Sequence, residues 1–286
     1  MKKSKQPMKN PSFSHYLAGL IEGDGTFFVP VETRSSKNKK YYPSVQICFH
    51  LKDLPLALVI QQRLGFGSLH KVKGKNAYTY TINSLKGLLT ISCLINGCMR
   101  TPKILDFWRL VDWLNNDQPL LSIDKKGPNE GSLLEDGWLS GFIEAEGHFR
   151  VRATWSQFKI ECRFELVQSE VDHNNRSSYA LLEAISKLLH SSVKTTRPSR
   201  PKKELRVTTV NLAGNRALEG YLQRWPLFGA KFRDFRDWCR VLDLFKRGVH
   251  KKRELYDWVR CIKEGMNQNR KDFQWDHLKD FYHLGK

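Results

Sequence analysis

Long apolar segments and acidic residues are both scarce in this chain. Uninterrupted apolar runs, such as residues 54–60, are far shorter than the about 20 residues that cross a bilayer, so a transmembrane protein is excluded. The 286 residues include 29 Asp and Glu against 48 Lys and Arg, which leaves a formal net charge of +19. Because 40% of the residues are hydrophobic, the chain can bury a sizeable core, and general disorder is excluded as well.

Metal-binding cysteine patterns and targeting segments are also lacking. The six cysteines form no CxxC pair and no zinc-type spacing with histidine, so we expect buried thiols in a reducing compartment. The lysine-rich first ten residues contain neither the apolar core of a signal peptide nor the Arg- and Ser-rich pattern of a transit peptide. If the protein works in an organelle, we expect it to be made there.

The positive charge points to a polyanionic partner. Nucleic acid is the commonest such partner, because a surplus of 19 positive charges is otherwise self-repulsive. An anionic membrane surface is the alternative, but it would require one strongly basic amphipathic helix, whereas here the basic residues are spread over the whole chain. The composition therefore favours nucleic acid.

The chain contains an internal repeat. Residues 17–27 read LAGLIEGDGTF and residues 139–149 read LSGFIEAEGHF. Each copy is followed by two alternating stretches, an amphipathic helix, a basic hairpin and a Lys-x-x-Asp-Phe segment that opens a Trp-rich helix. The period is too long for a solenoid repeat, so the pattern indicates a duplicated domain.

We predict two related units and a C-terminal extension. The first unit covers residues 12–114 and the second covers residues 134–240. Between them, residues 115–133 have the Asn-, Asp-, Gly- and Pro-rich composition of a linker. Residues 241–286 are predicted to be a helical extension, for which we infer no function. The helix, strand and hairpin order of each unit predicts an α+β fold with antiparallel sheets covered by helices on one face.

Alternation within the predicted strands separates a core face from a polar face. In residues 149–156 the odd positions, up to Trp155, are apolar, and the even positions carry Arg, Thr and Ser. Such a face is often merely solvated, but its recurrence in both units suits base readout in a groove, and the basic hairpins suit phosphate contacts. The candidate DNA-binding residues are Arg34, Ser44, Gln46, His70, Lys71, Lys73, Arg150, Arg152, Thr154, Ser156, Arg163, Glu165, Lys194, Arg197 and Arg206.

The repeated segment predicts two helices packed against each other. Glycine within a helix costs about 1 kcal/mol relative to alanine, so Gly19 and Gly141 require a reason. Close approach of the two backbones supplies that reason. We expect Gly25 and Gly147 to end the helices as C-terminal glycines do.

Asp24 and Glu146 are predicted to be the last residues of these helices, where the helix dipole is already negative. Packed helices would bring the two carboxylates together with unpaired carbonyl oxygens. A hard divalent cation such as Mg²⁺ would neutralise them, which suggests metal-assisted phosphodiester hydrolysis. Glu22 and Glu144 lie about 200° round the helix, so we expect them to act as salt-bridge or cap residues instead.

With these motifs and the features that follow them, residues 12–240 resemble the LAGLIDADG homing endonucleases in their single-chain, two-motif form. The resemblance implies duplicated αββαββα units whose two antiparallel sheets form a DNA-binding saddle. It also implies a monomer, encoded by a mitochondrial or chloroplast intron, that cuts both strands of a long asymmetric double-stranded DNA target. The alternative is an intron maturase of the same fold, which binds intron RNA.

The resemblance further implies that Asp24 and Glu146 are the catalytic acids. They would bind Mg²⁺, with the backbone carbonyls of Gly23 and Ala145 as additional ligands, and Ca²⁺ would bind without supporting cleavage. Retention of both acids favours the nuclease, because a protein that only binds RNA has no physical reason to keep a repulsive carboxylate pair.

A glutamine and a lysine near each metal site are implied as well. Gln168 fits the water-orienting glutamine, whereas the first unit has Phe49 at the equivalent position. His50, beside it, could replace the glutamine or could be an ordinary surface histidine. Lys103 and Lys231 match the charge-stabilising lysine of the family, and each could equally be a phosphate anchor.

Overall fold

The element order of the first half recurs in the second half. The structure is a computed structural model that describes residues 11–32, 34, 36–118, 122–172, 174–196 and 202–283. The helices are α1 (Pro11–Asp24), α2 (Leu54–Leu64), α3 (Leu85–Ile95), α4 (Ile104–Asp117), α5 (Trp138–Glu146), α6 (Tyr179–Leu188), α7 (Leu212–Arg224), α8 (Lys231–Lys246) and α9 (Tyr256–Glu264). The strands are β1 (Gly25–Phe28), β2 (Ser44–His50), β3 (Ser68–Lys71), β4 (Ala77–Ile82), β5 (Gly147–Thr154), β6 (Lys159–Ser169), β7 (Val193–Thr196) and β8 (Glu204–Thr208).

Each repeat contains one helix more than we predicted. The additional helices are α3 and α7, which lie between the basic hairpin and the Lys-x-x-Asp-Phe helix. Side chains cap both: the hydroxyl of Ser84 accepts a hydrogen bond from the amide of Gly87, and Asn211 does the same for Gly214. These capped, amphipathic segments complete the helical layer behind each sheet.

Two four-stranded antiparallel sheets form the other layer. Their strand orders are β1-β2-β4-β3 and β5-β6-β8-β7. In the first sheet Gly25 lies opposite Ile47. Its counterpart Gly147 lies opposite Leu166 in the second sheet. The equal register gives a residue-by-residue correspondence between the central strands β2 and β6.

The predicted alternation is confirmed in β2 and β6 but fails at the end of β5. Trp155, which we expected in the core, is 45% exposed and lies with Ser156 in a 3₁₀ turn. The turn ends at Phe158, whose positive φ of 45° redirects the chain into β6. The Trp155 ring instead packs on Tyr256 of α9, with the ring centroids 5.4 Å apart.

The two motif helices, α1 and α5, pack at the centre of the molecule. A Cβ atom on Gly19 would lie 2.0 Å from the carbonyl oxygen of Trp138, and one on Gly141 would lie 1.9 Å from that of Tyr16. Any larger residue would force the helices apart. The predicted role of these glycines in close backbone approach is therefore confirmed.

Gly25 and Gly147 end their helices differently from our prediction. Gly147 has φ −76° and ψ 150°, so the backbone passes from α5 directly into β5 without a left-handed cap. A Cβ atom there would lie 2.7 Å from Cγ2 of Ile143, and one on Gly25 would lie 2.7 Å from the carbonyl oxygen of Ile21. Lack of space, rather than a special backbone conformation, is the reason for both glycines.

The C-terminal extension contacts both repeats. Its helix α9 packs along the edge strand β5. Farther along the chain, Phe281 is fully buried and lies edge-on to Phe13 of α1, with the ring centroids 5.7 Å apart. None of the helices in the described ranges is long and apolar enough to cross a membrane.

None of the six cysteines, all of which the structure describes, is in a disulfide, and they are not all buried as we expected. Cys98 and Cys162 lie in the core, whereas Cys48, Cys93 and Cys261 are exposed. Cys48 is exposed because it lies on the polar side of β2, opposite Thr79 of β4.

Candidate active site at the helix pair

The two motif carboxylates meet where α1 and α5 end. Asp24 and Glu146 are the last residues of these helices. A Cβ atom on Gly23 would lie 2.2 Å from Cβ of Ala145 and 3.4 Å from Cγ of Glu146, so the helix ends touch. The structure thus brings both predicted acids and both predicted carbonyl ligands into one region.

The electrostatics of this region favour a bound cation. The surrounding protein atoms remove water from the Asp24 carboxylate, and Glu146 adds a nearby negative charge. Together these two effects raise the pKa of Asp24 to about 6. Lys231 and Lys103 act in the opposite direction but do not cancel the effect. Since Asp24 is still open to solvent, a divalent cation could reach the pair and relieve its repulsion.

Glu22 faces away from the carboxylate pair and fixes the loop before α4. Its carboxylate accepts hydrogen bonds from the backbone amides of Arg100, at 3.0 Å, and Thr101, at 2.5 Å. It also accepts one from the indole of Trp138 in α5. Burial raises the pKa of Glu22 to about 7.

Glu144 does the same for the loop before α8. It accepts hydrogen bonds from the backbone amide of Phe228, at 2.7 Å, and from the hydroxyl of Tyr16, at 3.2 Å. Both carboxylates thus accept hydrogen bonds from loop amides that precede α4 and α8 rather than from the first turn of a helix, and their place outside the metal site stays a prediction.

The loops held in this way carry the two predicted lysines back to the helix ends. The Nζ atom of Lys103 donates to the carbonyl oxygens of Gly25, at 2.8 Å, and Gly23, at 3.4 Å. The Nζ atom of Lys231 donates to the carbonyl oxygen of Ala145 at 3.1 Å. Burial lowers the pKa of both lysines, and the nearby carboxylates oppose that shift. Each ammonium group therefore lies beside a catalytic candidate.

A cavity of about 270 Å³ opens beside the end of α1. It is lined by Gly23 and Lys103 of the first repeat and by Gln168 of the second. The predicted water-orienting glutamine therefore lies at the helix end of the other repeat, because β6 runs past α5 towards α1.

A second cavity, of about 830 Å³, opens beside the end of α5. It is lined by Asp24, Ala145 and Lys231, and by Phe49 at the position that Gln168 has in the first cavity. His50 also lines this cavity, and its Nδ1 atom accepts a hydrogen bond from the backbone amide of Lys52. Each cavity thus has a lysine and a motif residue with a backbone carbonyl. The cavities differ in the glutamine and in their acids, because Glu22 lines the first and Asp24 and Glu144 line the second.

The donor set fits a hard divalent cation. The carboxylates of Asp24 and Glu146 and the carbonyls of Gly23 and Ala145 offer only oxygen, which Mg²⁺ and Ca²⁺ prefer. A carbonyl oxygen has two lone pairs, so a metal ion and a lysine can share it. Among the residues that the structure describes, this site included, no group of three or more His, Cys, Asp or Glu side chains could hold a metal ion, so a metal here would also need backbone, water or DNA oxygens as ligands.

Most of the candidate DNA-binding residues of the second sheet lie on its polar face, and three of them, Arg150, Arg163 and Glu165, form ion pairs there. Nη1 of Arg150 lies 3.2 Å from Glu165, and Nη2 of Arg163 lies 3.3 Å from Glu161. Arg152 is exposed beside them. The remaining candidates of this face are Thr154 on β5, Lys194 on β7 and Arg206 on β8.

The first sheet gives a less uniform result. Gln46 lies on the polar face, and its Nε2 atom donates to the hydroxyl of Ser44 at 3.0 Å. Ser44 itself is 7% exposed, so little of its side chain is available to DNA, and its contact with DNA stays a prediction. The exposed candidates are His70 and Lys71 on β3, Lys73 in the turn after it and Arg34 in the loop between β1 and β2. Arg197 lies outside the described residues.

Several supporting residues were missed by the sequence analysis. The carboxylate of Asp53 accepts a hydrogen bond from the backbone amide of Ala230, at 2.7 Å, and so joins the first repeat to the start of α8. Nη2 of Arg100 lies 2.8 Å from Asp136, just before α5. No repeated pattern marks these residues, because each acts across the boundary between the repeats.

Comparison with known proteins shows the same organisation. The LAGLIDADG endonuclease family model matches residues 17–114 and 139–242. The intron-encoded DNA endonuclease aI3 of Saccharomyces cerevisiae is 28% identical, over 93% of this chain and 72% of that protein. The cox1 intron-2 37.2 kDa protein of Schizosaccharomyces pombe is 32% identical, over 56% of this chain and 46% of that protein.

Solved structures share the fold. The homing endonuclease I-LtrWI bound to its target DNA superimposes with a TM-score of 0.72 at 18% identity, over 91% of this chain and 99% of that one. The meganuclease I-AabMI bound to uncleaved DNA gives a TM-score of 0.66 at 25% identity, over 91% of this chain and 100% of that one. These matches confirm the predicted α+β class. Because the family model covers both motif copies and most of each repeat, the chain belongs to the LAGLIDADG endonuclease family, in the single-chain form with two motifs.

Proposed function

We propose that the protein is a site-specific endonuclease that uses Mg²⁺ to cut both strands of a long, asymmetric double-stranded DNA target. The observation that supports this most strongly is the meeting of Asp24 and Glu146 at two touching helix ends, flanked by two half-buried lysines. Relatives named as DNA endonucleases add support, and so does the net charge of +19.

DNA is held by the polar faces of the two sheets. Exposed arginines such as Arg152 read base edges in the major groove, whereas hairpin lysines such as Lys71 and Lys194 contact phosphates. Because one chain carries both sheets, the protein acts as a monomer. Because the two sheets differ in sequence, its DNA target is asymmetric.

Asp24 and Glu146 must both be ionised to bind the metal, together with the carbonyls of Gly23 and Ala145. When bound, Mg²⁺ supplies Lewis-acid stabilisation of the phosphoryl oxygens and lowers the pKa of a coordinated water. The lysines stabilise the negative charge that develops on the phosphate during strand cleavage.

The two strands of the DNA target are cut beside chemically different cavities. In the first cavity, the amide of Gln168 orients the attacking water near Lys103. In the second cavity, Phe49 can neither donate nor accept a hydrogen bond, so the water is held less firmly there, unless His50 takes over. We therefore infer unequal rates of cleavage for the two strands.

A cleavage assay tests the proposal directly. The substrate is a plasmid carrying the intronless insertion site, incubated with Mg²⁺ and, separately, with Ca²⁺. We expect double-strand cleavage with Mg²⁺ and binding without cleavage with Ca²⁺. Replacing Asp24 by Asn or Glu146 by Gln should abolish cutting and preserve binding. Loss of binding in these variants would instead assign the acids a role in folding.

RNA binding is the second candidate function. The intron-encoded RNA maturase bI4 of Saccharomyces cerevisiae is 35% identical over 48% of this chain and 19% of that protein. A maturase would promote splicing of its host intron in vitro, and would do so after the Asp24→Asn substitution. The intron-encoded relatives, one of them named for a cox1 intron, also support an origin in an organellar intron.

A further inference from the structure

The helix that carries Lys103 is supported by an arginine from the other repeat. Arg176 lies in residues 170–178, which connect β6 to α6. Its Nη2 atom lies 3.0 Å from Asp106, and its Nη1 atom donates to the carbonyl oxygen of Pro102 at 2.9 Å. Asp106 belongs to the first turn of α4. Arg176 therefore fixes the segment from which Lys103 reaches the catalytic carbonyls.

The equivalent connection of the first repeat reaches the start of α8 through Asp53, which accepts a hydrogen bond from the backbone amide of Ala230, but it supplies no arginine. In this repeat β2 passes through the 3₁₀ turn Leu51–Asp53 straight into α2, without a longer loop like residues 170–178. Yet Asp234, the counterpart of Asp106, is 3% exposed. A buried carboxylate of this kind requires a partner.

The C-terminal extension supplies that partner. Nη2 of Arg270 lies 2.8 Å from Asp234 and 2.6 Å from Asp237, and the Arg270 side chain is 10% exposed. Its Nε atom donates to Asp234 as well, at 3.1 Å. The backbone amide of Asn267 adds a third hydrogen bond, at 2.9 Å, to the Asp234 carboxylate.

The same stretch of the extension forms a wall of the second cavity. Asn267, Gln268, Arg270 and Phe273 line it together with Lys231, and Arg176 lines the first cavity together with Lys103. Each cavity is thus lined by an arginine that pairs with an aspartate of the lysine-bearing helix, although one arginine comes from a loop within a repeat and the other comes from outside both repeats.

We propose that residues 266–273 are part of the second catalytic site, with Arg270 as the positioning residue of Lys231, just as Arg176 is the positioning residue of Lys103. The inference rests on the endonuclease function proposed above. Each arginine acts through an aspartate in the first turn of the lysine-bearing helix. Loss of one arginine therefore weakens the cleavage of one strand, and loss of the other weakens the cleavage of the opposite strand.

A cleavage assay that follows each DNA strand separately tests this proposal. Target DNA labelled differently on its two strands is cut with Mg²⁺ by wild-type protein and by the variants Arg270→Gln and Arg176→Gln. Since small displacements of a catalytic group can cost up to about 100-fold in rate, we expect each variant to slow one strand by about 10-fold more than the other, with nicked DNA accumulating. The two variants should slow opposite strands.

Arg260→Gln is the matched control. Arg260 lies on the exposed side of α9, where its side chain is 57% exposed and pairs with Asp257 at 3.3 Å. This variant should cut both strands at the wild-type rate. If Arg270→Gln folds poorly, Arg270→Lys and Arg176→Lys replace the pair of variants, because lysine keeps the charge but not the forked geometry.

Hydrogen exchange gives a readout that does not depend on cleavage. In Arg270→Gln, amide exchange should rise in residues 227–237 but not in residues 99–108, and in Arg176→Gln the reverse should hold. Equal slowing of both strands, unchanged cleavage in Arg270→Gln, or exchange that rises equally in both segments would overturn the proposal. If wild-type protein cuts neither strand, the endonuclease function fails, while the exchange pattern still decides whether Arg270 positions α8.

Discussion

Gly141 lies so close to Tyr16 that a Cβ atom on the glycine would stand 1.9 Å from the tyrosine carbonyl oxygen. The contact joins the two motif helices and thereby brings both carboxylates together. Neither helix can shift without moving a catalytic candidate. The stability of this contact and the chemistry of the site are therefore linked.

Replacing Gly141 by alanine should destabilise the protein. The methyl group would overlap backbone atoms that cannot rotate away, so we expect a loss of about 3 kcal/mol in the free energy of unfolding, at the upper end of overpacking costs. Gly220→Ala is the control, because a Cβ atom there meets nothing within 4 Å and α7 should gain about 1 kcal/mol. Urea unfolding of both variants measures the difference. Wild-type stability in Gly141→Ala would show that the helices are not in contact.

Asp24→Asn should stabilise the metal-free protein above pH 6. Folding raises the pKa of Asp24 from 3.8 to about 6, so the folded state holds its proton more tightly than the unfolded state. The associated stability is complete below pH 4 and is lost as the pH rises through 6. Because Asp24 is open to solvent, we expect a gain of at most about 1 kcal/mol at pH 8 and none at pH 4.

Thermal unfolding of wild type and variant across this pH range, in EDTA, measures the effect. Asp112→Asn is the control, since Asp112 is 53% exposed on a surface ion pair with Lys125. A larger gain at pH 4 than at pH 8 would contradict the assignment. The same protonation predicts that cleavage weakens below about pH 6, because a protonated Asp24 cannot bind the metal.

Gln168→Leu should slow one strand selectively. Gln168 lines the cavity beside Lys103, whereas Phe49 occupies the equivalent position beside Lys231. Removing the amide leaves the first cavity without a glutamine, as Phe49 leaves the second, so we expect a loss of roughly 10-fold on the faster strand and little change on the slower one. Labelled-strand kinetics measure this, and equal slowing of both strands would argue against a role at one cavity.

Arg152→Ala and Lys194→Ala should weaken DNA binding in different ways. If Arg152 reads a guanine, replacing it weakens the free energy of DNA binding by about 1–3 kcal/mol and relaxes specificity at one base pair. Loss of Lys194 should weaken binding equally on all sequences and should reduce the slope of log affinity against log salt by about one. Binding assays in Ca²⁺ on a panel of single-base variants separate the two. An equal loss on every sequence for Arg152→Ala would reassign it to a phosphate contact.

Local patterns predicted the repeated elements well. Period-two alternation identified the core faces of β2 and β6, and the small residues Gly19 and Gly141 predicted the helix contact. Where local preference and tertiary packing differed, packing decided the outcome. Trp155 continues the alternation of β5 in the sequence, yet the chain turns before it and the ring packs on Tyr256 of the extension.

Features that cross between the repeats could not be predicted. Gln168 lies beside Lys103 because β6 runs towards α1, and no spacing within the second repeat indicates that direction. Arg270 is 36 residues from its partner Asp234 and has no counterpart in the first repeat at the same place in the order of elements. Such partners depend on how the units pack together.

Metal location in the DNA complex tests the central claim most directly. Crystals of the protein with its target DNA, grown in Mn²⁺, would reveal bound metal by anomalous scattering. We predict one or more peaks about 2.0–2.6 Å from carboxylate oxygens of Asp24 and Glu146, next to the carbonyls of Gly23 and Ala145. Well-ordered DNA over the two sheets without a peak at this pair, or with metal bound elsewhere, would contradict it.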